Sequence, residues 1–455
     1  VLNEDGVMMQ WFHLYRMGND DLRMIINTFR SAFPHTTLWG KPNSVDIILI
    51  GSKKPLTIDF NDFSRRIQSP AIAADLQRID SNDVFQMLNY FLMDENNLAK
   101  FAGQYPANTD DMPRLEFSAP KNLYARTVGI NLETMNGYRS NALSVLTGAT
   151  NQVVRAKIES DFQAREKAIL AQIYMQYGDW ERAQKALEDS LVIDPSFKIS
   201  RESLSDLLDQ RGEGALQSGN LDMAFYFFTR AAELTPARAA MRVDLARAAT
   251  ASNQPELAVI HYAEAARLSP RDSFIQYSFG NALTQVGAYE EAVDAFNRAL
   301  AIEPGYAYAY ANRAYAFDLM GLREKALADY DSAITISPEF AAAYANRGLH
   351  HYYDNNYPAA ISDFAAAVKL APTANNHDFL ALALVSAGRY DEALKSVTRA
   401  IETDPGLPLP WYRKGLILEQ QGKKAEALMA YQHFVTLSTD EGMIAVAQSA
   451  ISRLQ

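Results

Sequence analysis

The chain contains no cysteine. Disulfides, thiolate metal sites and cysteine nucleophiles are therefore excluded, while the compartment stays open. Long apolar runs are also missing. The most apolar stretch, Val45–Ile50, is short and carries Asp46, far below the ~20 residues that a helix needs to cross a bilayer. Positive charge is scarce relative to negative: 43 Lys and Arg stand against 54 Asp and Glu, a net charge of −11. Without a basic stripe there is no source for the counterion release that supplies most nucleic-acid affinity, so no nucleic-acid partner is expected. The seven histidines show no metal-ligand spacing, because His350 and His351 are neighbours on different helix faces. No glycine-rich phosphate cradle occurs, and Gly212-Glu213-Gly214 reads as close helix packing. No charged leader or cleavage pattern is seen. The chain opens at Val1, and further sequence upstream is expected.

What is present is a repeat. Alanine recurs five residues after a Gly or Asn at Ala183, Ala224, Ala258, Ala292, Ala326, Ala360, Ala393 and Ala427. A proline follows twelve residues later in seven of these cases, and the spacings from Pro236 to Pro372 are each 34 residues. Within each unit the apolar residues recur at helical spacing on both sides of a breaker. From Ser273 to Tyr306, one helix carries Phe274, Tyr277 and Leu283, Gly287 ends it, and a second carries Ala292, Phe296, Ala299 and Leu300 before Pro304. Such a pair cannot bury itself alone and must stack on its neighbours.

This pattern resembles the tetratricopeptide repeat, with Gly280, Ala292, Phe296, Ala299 and Pro304 on its signature positions. Eight units fit residues 164–441, and residues 442–455 read as a capping helix. The first two prolines, Pro195 and Pro236, are 41 residues apart, so an insertion of ~7 residues is expected around Phe197 to Ser203. The fold class expected is mainly α: an α-solenoid of eight tetratricopeptide repeats preceded by a partial α/β domain.

Residues 1–125 do not repeat. A turn at Asp5-Gly6 leads into a strand over Val7–Trp11, and Asp20 to Phe33 has helical periodicity. Thr36–Trp39 and Val45–Ile50 read as an antiparallel pair around a short loop. Strand, helix, strand, strand is how many doubly wound sheets finish, with a reversed last strand at one edge. Helices are expected over Asp59–Arg66, Ser69–Asp80 and Ser81–Met93, then a helical connector over 126–163. The edge at Val7–Trp11 is expected to invite pairing with another chain, and residues 126–455 to express better than the whole.

Gly6 to Trp11, Phe33-Pro34-His35, the Trp39 hairpin and the run Asn108 to Pro120 resemble the carboxyl half of a spermidine synthase-like domain, as in bacterial membrane-fused proteins of that family. The resemblance implies a methyltransferase-like Rossmann sheet whose cofactor half lies upstream, possible transmembrane helices before it, and tethering to the bacterial inner membrane. S-adenosylmethionine or its decarboxylated form would then be bound only with that upstream half. No complete catalytic site is expected in this chain, whose catalytic residues are none. It departs from the family where Gln10 is followed by Trp11 and Phe12, and where Pro34 is followed by His35. Asp110, Asp111 and Glu116 are candidates to meet the ammonium groups of a polyamine, with turn capping as the plainer role. His13 and Tyr15, just past a strand end, are further candidates or plain loop residues.

For the repeats, the resemblance places function in a groove lined by the first helix of each pair. That picks out Phe274, Tyr277, Asn281, Tyr308, Tyr315, Asp318, Tyr352, Tyr353, Tyr412 and Glu419, an aromatic and lightly polar surface. Tyrosine gives large amphipathic contact area at low entropic cost, so the expected partner is an extended peptide or a helix of another protein. Packing between repeats is the alternative role for several of these rings. Asn281 and Asn312 match both asparagines of the family's carboxylate clamp. Its cations are missing, since Tyr277, Ala342 and Asn346 occupy their positions, and the clamp is rejected.

Overall fold

A computed structural model describes residues 3–14, 17–40, 46–78, 81, 83–109, 127–149 and 151–455 of the chain. It divides into two compact units, Val1–Pro236 and Ala237–Gln455.

The first unit is built on a four-stranded sheet of β1 (Val7–His13), β2 (His35–Gly40), β3 (Asp46–Ser52) and β5 (Phe91–Met93), in the order β1-β3-β2-β5. A two-stranded parallel pair, β4 (Ile58–Asp59) with β6 (Leu146–Thr147), lies apart from it. The expected hairpin is present, with Thr37 opposite Ile50 and Trp39 opposite Ile48. Two expectations change. The last strand of the expected set, β3, is not at an edge but lies between β1 and β2, pairing antiparallel with both. The stretch Ser81–Met93 is not one helix: Val84–Leu88 is helical and Phe91–Met93 is strand β5. Phe91, Leu92 and Met93 are all buried, and a fully buried short run of this kind has no alternating signature to distinguish it from a helix.

Helix Asn19–Ala32 covers one face of the sheet, placing Leu22 and Ile26 against Phe12, Leu38, Ile47 and Leu49. Gly51 lets it come close: a Cβ there would meet the Phe33 Cβ at 2.6 Å. The same core takes in Leu132 and Met135 of helix Thr127–Asn136, and Ile169 and Ile173 of helix Gln152–Gln176. The stretch expected as a connector is thus packed into the sheet's core, so separating it from residues 1–125 would expose Leu132, Met135, Ile169 and Ile173. The long helix is also tied down by charge. Arg165, 1 % exposed, donates to the backbone oxygens of Phe91 and Asn89 and, at 3.4 Å, of Ser140.

Two helix pairs complete this unit, Gln152–Gln176 with Trp180–Ile193 and Lys198–Gln217 with Leu221–Leu234. Helix Lys198–Gln217 has 20 residues where Ser273–Gln285 has 13, which accounts for the extra spacing before Pro236.

The second unit is a solenoid of six helix pairs, from Ala239–Ala251 with Pro255–Leu268 to Pro408–Gln420 with Lys424–Leu437, followed by helix Glu441–Leu454. All eight breakers of the repeat, in both units, adopt positive φ, from 55° at Asn253 to 80° at Gly287. This left-handed residue ends the first helix and turns the chain into the second, which is why only Gly and Asn occupy it. The eight marker alanines have no exposed surface. The last helix buries Ala447 and Ala450 against the cluster of Tyr431 and Phe434, closing the apolar end of the stack.

Candidate partner-binding groove

The ten groove candidates all lie in the second unit, and the structure sorts them into two kinds. Phe274, Tyr308, Tyr315 and Tyr353 are exposed, at 52 %, 54 %, 47 % and 71 %. Tyr277, Tyr352 and Tyr412 are half-buried and pack within the stack. The Tyr277 ring lies 5.0 Å from Tyr306 and 6.2 Å from Phe296. Tyr412 lies 5.3 Å from Phe434, and the Tyr352 hydroxyl accepts from Ser386 Oγ at 3.2 Å.

These rings are connected. From Tyr277 the series runs to Tyr306, then to Tyr308 at 6.3 Å, and from Tyr308 to Phe340 at 4.4 Å. Sequence reasoning missed Tyr306 and Phe340, which precede the first helices of successive repeats. A signal for them existed, since they stand one 34-residue period apart. Burial and its acidic and phenolic neighbours push the Tyr306 hydroxyl up to about 12, so it stays a neutral donor across the physiological range.

The polar candidates are already engaged. Asn312 Nδ2 donates to Asn281 Oδ1 at 2.7 Å and to the Tyr277 hydroxyl at 3.2 Å, so the two asparagines form a rung between repeats. Asp318 accepts from Arg323 Nη1 at 2.9 Å and from the Tyr330 hydroxyl at 3.1 Å, and contacts His350 Nδ1 at 2.7 Å. Glu419 accepts from the Tyr431 hydroxyl at 2.8 Å and from Arg453 Nη2 at 3.1 Å. Burial and the neighbouring carboxylates raise the hydroxyls of Tyr330 and Tyr431, so both remain protonated and able to donate. Asp318 and Glu419 therefore serve the stack's own donors, and the exposed part of the groove is aromatic.

A second charge ladder runs through these repeats. Arg313 grips Asp329 through Nε and Nη2 at 2.6 and 2.8 Å, and one period later Arg347 grips Asp363 at 2.8 and 2.7 Å. Asp329 and Asp363 are 7 % and 5 % exposed. A two-pronged guanidinium–carboxylate contact at that depth fixes the two helices of a pair in one geometry.

Among the other candidates, His13 Nδ1 lies 2.6 Å from Asp46 Oδ1 across the β1–β3 pair. Tyr15, Asp110, Asp111 and Glu116 lie outside the described residues. His350 and His351 have their rings 5.6 Å apart at 74°. Among the described residues no group of three His, Asp or Glu side chains is placed to hold a metal ion, and no helix is long and apolar enough to cross a membrane.

A family model described as TPR repeat matches residues 280–321, and two described as Tetratricopeptide repeat match 307–340 and 380–438. These segments are tetratricopeptide repeats, all in the second unit. Similar solved structures include a tetratricopeptide repeat protein from Parabacteroides merdae, 16% identical, covering 55% of this chain and 98% of that one at a TM-score of 0.45. Another is pilF of Pseudomonas aeruginosa, 19% identical over 49% of this chain and 99% of that one, with a TM-score of 0.40. A third is YrrB, described as a TPR protein with an unusual peptide-binding site, 20% identical over 41% of this chain and 97% of that one, with a TM-score of 0.35. No curated protein matches the chain.

Proposed function

We propose that the second unit is a protein-interaction scaffold whose aromatic groove binds a peptide or helix of a partner protein. The observation that carries this reading is the row of exposed rings at Phe274, Tyr308, Tyr315 and Tyr353 beside polar groups already engaged with the stack. Exposed aromatic rings on a rigid frame offer affinity through apolar contact and phenolic hydrogen bonds. The tetratricopeptide matches at 280–321 and 380–438 support the same reading. A random-peptide display library selected on the full chain tests it. Calorimetry of the selected peptides should show Tyr308→Ala and Tyr315→Ala each weakening binding by about tenfold or more, with thermal midpoints unchanged. Selected peptides that bind the double variant as tightly as the parent would remove the groove from consideration.

A second reading concerns the first unit: it is the carboxyl part of a spermidine synthase-like domain, and a longer polypeptide supplies an aminopropyltransferase-like or methyltransferase-like enzyme. What favours it is β1, an edge strand whose Val7, Met8, Met9 and Trp11 are all exposed. Apolar residues on both faces of an edge strand are what a strand paired on its other side would carry. The glycine turn and acidic residue by which that family holds its adenosyl cofactor have no counterpart in residues 1–125, so no catalytic step is assigned to this chain. The intact mass of the protein from its natural source tests this second reading: a value well above 50.7 kDa supports it, and a value near it refutes it.

A further inference from the structure

A helix, an extended strand and a proline-rich segment are three kinds of chain that an aromatic groove can take. They differ in the hydrogen-bonding groups they bring, so the groove of the second unit selects among them by what its own polar groups still need.

The carboxylates there need no further donor. Asp318 and Glu419 accept from side chains of the stack. Glu303 accepts from Ser273 Oγ at 2.7 Å, and Asp272 from the Ile275 amide at 3.1 Å. The phenols are the opposite case. Among the described residues the hydroxyls of Tyr306, Tyr308 and Tyr315 have no hydrogen-bond partner. Asn281 Oδ1 is taken by Asn312 Nδ2, which leaves the Asn281 amide to donate as well. These donors face water now, and a ligand that covers them must supply acceptors or lose affinity.

The ligand that suits such a groove carries carbonyl oxygens and few N–H groups. A helix spends its carbonyls on its own N–H groups, and a strand brings one N–H for every carbonyl. Proline has no N–H, and the polyproline II helix makes no internal hydrogen bonds, so its carbonyls are free to accept. Spacing is an independent argument for the same ligand. Phe274 and Tyr308 are each the second residue of a helix, Ser273–Gln285 and Ala307–Leu319, and these two helices touch. Helices in contact lie about 8–10 Å apart, and one polyproline II turn of three residues rises about 9 Å. Every third residue of such a segment therefore meets one ring of the row. Phe340 backs Tyr308 at 4.4 Å and 49°, and the two make an aromatic wall on which a pyrrolidine ring can lie.

On the premise that the groove binds a peptide, we infer that its partner is a proline-rich segment in the polyproline II conformation, crossing Phe274 and Tyr308 with a proline at every third position. The prolines lie on the rings, and the carbonyls between them accept from the phenols. Such a segment is stiff before it binds, so it loses little conformational entropy on the groove.

Calorimetric titration of the full chain with acetyl-nonaproline amide tests this. Saturable binding is expected, about tenfold or more tighter than for an acetylated Gly-Ser peptide amide of the same length. Tyr308→Ala should weaken nonaproline about tenfold or more. Tyr308→Phe, which keeps the ring and removes the donor, should weaken it about threefold to tenfold. The thermal midpoint should stay the same in both, because the side chain is 54 % exposed. Should Tyr308→Ala fail to fold, Tyr308→Phe decides alone. Nonaproline that binds no tighter than the Gly-Ser peptide, or equally well to Tyr308→Phe, overturns the proposal. Library-selected peptides that lack proline yet lose affinity in Tyr308→Ala, while nonaproline does not bind, overturn the proline assignment and leave the groove in place. Selected peptides indifferent to the rings overturn both.

Discussion

Replacing Gly348 with alanine should destabilise the second unit, although helix propensity alone predicts the opposite. Gly348 lies inside helix Ala341–Tyr353, where alanine is favoured over glycine by about 1 kcal/mol. Burying one methyl group adds a further gain of about 0.8 kcal/mol. Against this stands the ring of Phe364, which has no exposed surface. A Cβ at position 348 would lie 2.7, 2.8 and 3.1 Å from three of its carbons, whereas contacts begin near 3.5 Å. The ring cannot swing away, because Phe379 stacks on it at 5.7 Å and Ala360 and Ala383 pack against it. The two helices must therefore part by about 0.7 Å along their shared face, losing contact at every neighbouring position. Overpacking of this kind costs about 1–3 kcal/mol, and here its gross cost is placed above that range because backbone and ring are both confined. The expected net loss is about 2 kcal/mol, a fall of about 4–8 °C in thermal midpoint for a unit of this size. Hydrogen exchange in residues 341–353 should rise with it.

Gly212, Gly280, Gly348 and Gly415 each face an aromatic ring sixteen residues on, Ala381 faces Val397, and Ala246 and Ala314 stand at the same position with Tyr262 and Tyr330 sixteen residues on, so the cost at position 348 is set by how tightly the Phe364 ring is held. Phe364→Val in the Gly348→Ala background should therefore recover stability, with the double variant better than the sum of the singles by about 1 kcal/mol or more. A Gly348→Ala protein with an equal or higher midpoint, or additive singles, would show that the helix pair accommodates the methyl and that the steric argument is wrong.

Other expectations follow from single contacts. Gly51→Ala drives a Cβ to within 2.6 Å of the Phe33 Cβ, and a loss of about 2–3 kcal/mol in urea unfolding is expected for the first unit. Removing one side of the Arg347–Asp363 pair by Arg347→Ala leaves a carboxylate that is 5 % exposed without its main partner. About 3 kcal/mol of stability should be lost, and Asp363→Asn should restore part of it. The Lys157–Asp161–Asp194 network gives the first unit a pH signature. Asp161, whose carboxyl burial pushes up to about 6, binds its proton more tightly when folded, so its contribution grows as pH falls from about 7 to 5. Asp194, held down to about 2 despite burial by hydrogen bonds from Lys157 and Ser196, contributes stability above about pH 4 that is lost as pH falls through 2. The difference in thermal midpoint between the parent and Asp161→Asn should thus change between pH 7 and 5, and a constant difference would contradict the assignment.

The repeats were legible in the sequence because their signal is redundant. Breaker, alanine and proline recur in phase, and each has one physical job: a left-handed turn at Gly287 or Asn355, a close helix contact at Ala292, and a stop at Pro304. The groove was legible in part. Spacing located the helix faces, but it could not say that Tyr412 packs inward while Tyr353 is exposed, since that depends on which rings the neighbouring repeats supply. Nor could it pair Asp318 with His350, 32 residues away, because a carboxylate engaged by its own stack has the same local sequence as one turned to a ligand. The sheet was harder. Its strands occur once each, so no repetition averages out local ambiguity, and β5 is three buried residues read as the end of a helix.

The sheet and the first helix pairs share a core, and this changes what the repeats are attached to. Leu132, Ile169 and Ile173 are buried with Leu22, Leu49 and Phe101, so helix Gln152–Gln176 belongs to the sheet's core and to the first helix pair together. Arg165 reinforces this by satisfying backbone oxygens on the β5 side of the sheet. Its Nη1 and Nη2 meet backbone oxygens while Nε is buried without a partner, so Arg165→Leu would leave those oxygens unpaired while Arg165→Lys could serve only some of them.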